Sequence, residues 1–156
     1  MAQSTNSEIG GYVNTPDKDG KTPLMQAASD GKIDRVKALI AVKAKVNAKD
    51  KYGATALMEA AYNGHADCVT ALIAAKAEVH ARENDGYTAL MLAAQNGHAD
   101  CVTALIAANA EVNARTNKGG TALKLAQQRR HPTYKLAQPY PYPAIVAALK
   151  AAGATE

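Results

Sequence analysis

A 33-residue period runs through this chain and limits what it can fold into. Thr22, Thr55, Thr88 and Thr121 recur at that interval and open the segments TPLMQAA, TALMEAA, TALMLAA and TALKLAQ. Val13-Asn14, Val46-Asn47, Val79-His80 and Val112-Asn113 keep the same step, and NGHADCVTALIAA stands twice unchanged, at 63–75 and 96–108. A unit this short cannot bury its own apolar face, so the units must stack on one another. Composition agrees with thin layers. Neither Trp nor Phe is present, yet 47% of the 156 residues are hydrophobic, which leaves Ala, Leu, Val, Ile and Met to make the core. Small and branched side chains suit flat spaces between closely packed helices.

Each unit reads alike. A glycine turn (Asp19-Gly20, Tyr52-Gly53, Asp85-Gly86, Gly119-Gly120) supplies positive φ at a hairpin tip. Thr follows at a helix N-cap position, with Pro23 at the first helical position of the first unit. A short apolar helix is broken by Gly31, Gly64 or Gly97. A second helix carries Val36, Leu39 and Ile40, or their equivalents, at i, i+3 and i+4. Ala-x-Val-Asn then leads into the next tip.

These residues resemble the ankyrin repeat, whose period and T-P-L-H-x-A signature they follow from about residue 13 to 154. The expected architecture is an all-α repeat solenoid, an ankyrin-type stack of helix-turn-helix units linked by β-hairpin loops. Its repeats run at about 17–49, 50–82, 83–115 and 116–154, preceded by an arm at 1–12. The family's His after T-P-L is Met25, Met58 and Met91 here, so any hydrogen bond from that His is expected to be missing, with Met filling the gap. Charged residues reach core-like positions only at the ends. Arg35 stands where Cys68 and Cys101 stand, Lys124 where Met58 and Met91 do, and Lys150 where Ile106 does, as terminal units with an uncovered face require. The period fails once, where eleven extra residues enter HPTYKLAQPYPYP, placed at about 133–143. Loop closure for such an insertion costs only about 1 kcal/mol, so the fold tolerates it. Pro-Tyr-Pro-Tyr-Pro predicts an extended polyproline strand presenting its tyrosines.

Catalysis finds no support. There is no phosphate-cradling glycine loop, no nucleophile beside a base and no usefully spaced pair of carboxylates, so the expectation is a non-enzyme without cofactor or metal. His65, His98 and His131 lie one period apart, and neighbours in a stack stand about 10 Å from one another, too far to share a metal ion. They are expected to brace the inter-helix turns. The same spacing excludes a Cys68–Cys101 disulfide and makes both thiols buried packing residues. No apolar leader and no run of eighteen apolar residues is present, which points away from a membrane and toward a cytoplasmic or other intracellular monomer, leaving open a removed leader.

Partner binding fits better. Tyr52 at a tip, Tyr87 just after one and Tyr62 at a first-helix end all occupy positions that change from unit to unit. The resemblance implies that tips and first helices line a concave binding face. It would bring together Lys18, Lys21, Ser29 and Asp30 of the first unit, Lys51, Tyr52, Tyr62 and Asn63 of the second, and Asn84, Asp85, Tyr87, Gln95 and Asn96 of the third. The insertion adds Tyr134, Lys135, Tyr140 and Tyr142 as a second contact arm. The leading reading is a module that binds another protein, with tyrosines as anchors. One alternative is a structural or engineered scaffold that displays the insertion. The weaker one is nucleic-acid binding by the seven basic residues (Arg115, Lys118, Lys124, Arg129, Arg130, Lys135, Lys150) that stand between 112 and 155 without an acid. Those residues spread over several faces.

Overall fold

In the computed structural model, residues 12–128 and 142–156 are described. They form four helix pairs in chain order: α1 (Pro23–Ser29) with α2 (Ile33–Ala41), α3 (Ala56–Asn63) with α4 (Ala66–Ala74), α5 (Ala89–Gln95) with α6 (Ala99–Ala107), and α7 (Ala122–Gln128) with α8 (Tyr142–Ala151). Thr22, Thr55 and Thr88 cap α1, α3 and α5 in extended conformation, each hydroxyl accepting the N–H of the methionine three residues on, at 3.3 Å. In the first unit Met25 does more than fill the gap. The Thr22 N–H donates to Met25 Sδ at 3.5 Å, so a soft sulfur acceptor closes the capping box. Each first helix in the first three units ends at a glycine with φ between 69° and 78° (Gly31, Gly64, Gly97). The chain then turns back within two residues into the second helix.

The helices make two layers. Each first helix packs on the first helices of adjacent units, and α2, α4, α6 and α8 pack in the same order beside them. Every substantial helix–helix contact lies within a unit or between adjacent units. The core between the layers is built of repeated positions: Leu24, Leu57, Leu90 and Leu123 from the first helices, and Val36, Val69 and Val102 from the second. Ala28, Ala60, Ala61, Ala93, Ala94 and Ala126 are fully buried and let the first helices approach closely. Met25, Met58 and Met91 fill the remaining space and are buried. The ends are polar as expected: Arg35 and Lys150 are exposed and Lys124 is half-buried.

Two expectations need correction. Tyr142 and Pro143, assigned to the insertion as extended chain, open α8 instead. A proline in the first helical turn gives up an N–H that would be unpaired anyway, and helix formation there brings Ile145 and Leu149 into the core. Residues 129–141, which hold Tyr134, Lys135 and Tyr140, lie outside the described residues, as does the arm at 1–11. The hairpin loops, second, form no strand among the described residues. Each tip is a tight turn, as in Asp17 N–H to Lys21 O at 2.9 Å, and is tied to the next by one backbone bond. Those bonds run from Lys51 N–H to Asp19 O, Asn84 N–H to Tyr52 O and Asn117 N–H to Asp85 O. Arms this short give no room for a ladder.

A second line of ties follows the Val-Asn positions. Asn14 accepts from the Lys45 N–H, Asn47 accepts from the Glu78 N–H and donates to Lys76 O, and Asn113 accepts from the Thr155 N–H and donates to Gly153 O. His80 occupies the remaining position, is exposed, and makes no such bond. An opening of about 300 Å³ lined by His80, Glu111 and Asn113 lies there, between the second and third units. His80→Asn is therefore expected to supply the missing tie. It should raise stability by about 1 kcal/mol and the thermal midpoint by roughly 2–4 °C, measured by circular dichroism melting.

Candidate functional site

The tips start with an acid that organises them. The carboxylate oxygens of Asp17, Asp50 and Glu83 each accept two backbone N–H groups two and four residues on, at 2.8–2.9 Å, and Thr116 uses its hydroxyl for Gly120. The backbone N–H groups of Lys21 and Asp19 hold the Asp17 carboxyl below its ordinary pKa. With the tips fixed, the side chains that follow are aimed at the first helices.

Tyr52, Tyr62 and Tyr87 converge there. With Lys21, Asp85 and Gln95 they line one open groove of about 600 Å³ that crosses the first three units. Tyr52 and Tyr62 are 56% and 52% exposed, which is unusual for rings of this size, whereas Tyr87 is half-buried against the core. Six of the residues expected from the sequence thus share one surface. Five more line it: Ala54, Met58, Glu59, Glu83 and Leu92. Three of these had a signal in the sequence. Glu59 and Leu92 share a position that reads Gln26, Glu59, Leu92 and Leu125 across the units, and Ala54 shares one that reads Lys21, Ala54, Tyr87 and Gly120. Met58 and Glu83 belong to the repeating framework and carried none.

Lys21 pairs with Glu59 at 3.1 Å across two units. Partial burial works against its charge, but the hydrogen bond and charge of Glu59, helped by Asp50 and Asp17, keep the ammonium above the ordinary lysine pKa. Lys51 pairs with Asp19 and stands 5.0 Å from the centre of the Tyr52 ring.

The other expected residues do not line the groove. Asn63 donates to Ser29 Oγ and Glu59 O and Asn84 to Lys51 O, so these two amides fasten neighbouring units, while Asn96 donates to Leu92 O at the end of its own helix. Asp30 accepts from Gln26, and Lys18 is exposed at the first tip. Tyr142 donates its hydroxyl to Gln95 O at 3.1 Å, which anchors the start of α8 to the end of α5 beside the groove.

The histidines brace the turns as expected. His65 Nε2 donates to Ser29 O at 3.0 Å and His98 Nε2 to Tyr62 O at 2.9 Å, each ring lying against the glycine of the preceding unit. His131 lies outside the described residues. Among the described residues no group of His, Cys, Asp and Glu is arranged to hold a metal ion. Cys68 and Cys101 are buried and unbridged. Burial and then the charge of Asp67 or Asp100 push each thiol up to about 11, so both stay protonated at neutral pH. No described helix is long and apolar enough to cross a membrane.

A family model described as ankyrin repeats (3 copies) matches residues 5–83 and 66–137. The chain belongs to the ankyrin repeat family. Ankyrin repeats generally serve as protein–protein interaction modules. No curated protein matches the chain significantly.

Proposed function

We propose that this chain binds another protein through the groove between its tips and first helices. One observation supports the reading above others: three tyrosines at positions that vary between units meet on one surface, while most repeated positions serve the core, the caps and the turns. Tyrosine offers a large contact area with few torsions to freeze, the usual character of an anchor residue. The groove is built on helices locked by the stack, so little ordering cost attends association.

Tyr52→Ala, Tyr62→Ala and Tyr87→Ala combined should leave the helical circular dichroism intact and weaken capture of a cognate partner by about a hundredfold or more. Pull-down followed by titration with the purified partner measures this. Undiminished binding by the triple variant would place the contact elsewhere on the molecule.

A further inference from the structure

The groove has a charge character opposite to that of the chain. The whole chain carries +4, yet three carboxylates (Glu59, Glu83, Asp85) face one ammonium (Lys21) along this surface. The pairings sharpen the contrast. Lys21 is engaged by Glu59 and Lys51 by Asp19. Among the described residues no ion pair engages Glu83 or Asp85. One Glu83 oxygen is held by the Asp85 and Tyr87 N–H groups, which fixes the carboxylate in place rather than neutralising it. One fixed carboxylate, Glu83, and one exposed carboxylate, Asp85, therefore lie beside three tyrosine rings.

Tyrosine faces attract cations, as beside the groove, where the Lys51 ammonium, itself paired with Asp19, stands 5.0 Å from the centre of the Tyr52 ring. An acidic occupant would meet like charge, and a purely apolar one would strip water from two carboxylates without return. We infer that the occupant of the groove is a basic segment of a partner protein, placing lysine or arginine side chains against the tyrosine rings and beside Glu83 and Asp85. This rests on the reading that the groove binds protein and names the chemistry of what it binds. Because Glu83 and Asp85 line the groove, they also steer a basic partner toward it at low salt.

A phage library displaying random peptides of about twelve residues tests the inference. It is selected on the full chain and depleted on the Tyr52→Ala/Tyr62→Ala/Tyr87→Ala variant. The expected survivors are enriched in Lys and Arg, lose affinity as salt rises, and bind the Glu83→Gln/Asp85→Asn variant about tenfold more weakly. Gln at 83 keeps an oxygen for the turn, so that variant removes charge and little else. Tyrosine-dependent peptides that are neutral or acidic, or that bind both forms equally, overturn the basic-segment inference and leave protein binding through the groove standing. If no peptide depends on the tyrosines, both readings fall. The salt response of the unaltered chain gives a readout that depends on no variant.

Discussion

Leu72→Ala should cost about 3–5 kcal/mol, among the largest losses expected from one truncation in this molecule. Leu72 lies fully buried in α4, which packs on α3 within its unit and between α2 and α6 in the second layer. The neighbours are helices fixed on three sides, so the void left by three missing carbons closes poorly. Domains of this size are stable by roughly 5–15 kcal/mol, so the variant loses a third or more of that margin. Urea denaturation followed at 222 nm measures the change. Thr70→Ala, on the exposed side of the same helix, should change stability by less than about 0.5 kcal/mol. Equal effects from the two substitutions would mean that the second layer does not carry the core described above.

Gly64→Ala is the second large effect, about 2–3 kcal/mol, and it has two separable parts. Gly64 ends α3 at φ +78°, a region where an L side chain costs about 1–2 kcal/mol. A Cβ there would also lie 2.5 Å from His98 Nδ1, displacing the ring whose Nε2 ties the third unit to Tyr62 O. Gly119 separates the two contributions: its φ is +79°, but nothing lies within 4 Å of an added Cβ. Gly119→Ala should therefore cost only the backbone share. Combining Gly64→Ala with His98→Ala should be less damaging than the sum of the single changes, because the clash and the lost bond are then counted once. Strict additivity in that cycle would show that the His98 ring is not what resists the methyl group.

The layers are legible in the sequence, because the period, the Thr caps and the glycine breaks are local properties written in each unit. The bracing role of His65 and His98 and the buried, unbridged thiols were also legible, from their spacing of one period. The groove was half legible. Tyr52, Tyr62 and Tyr87 stand out because they are large rings at positions that vary while the Thr caps, turn glycines and core positions repeat. Met58 and Glu83 do not stand out, because each serves the framework and faces the groove as well. Asn63, Asn84 and Asn96 mislead for the reverse reason: a polar residue on the binding side looks available until its amide is seen to hold a neighbouring carbonyl. The start of α8 was misread because Pro-Tyr-Pro patterns specify φ but not whether the following residues pair their N–H groups. Packing of Ile145 and Leu149 decided that point.

The single gap in the Asn ties acquires a meaning once the groove is considered. The seam at His80 divides the array into two pairs of units, and the substantial helix contacts across it are only those between adjacent units. Other bonds cross that boundary, Asn84 to Tyr52 O and Lys51 O and His98 to Tyr62 O, but opening it breaks one Asn tie fewer than opening its neighbours. Tyr52 and Tyr62 sit on one side of that seam and Tyr87 and Gln95 on the other, so whatever lies in the groove acts as a splint across it. Amide protons along the seam are then the reporters of occupancy: they exchange fastest in the free chain and slow first when a partner is bound.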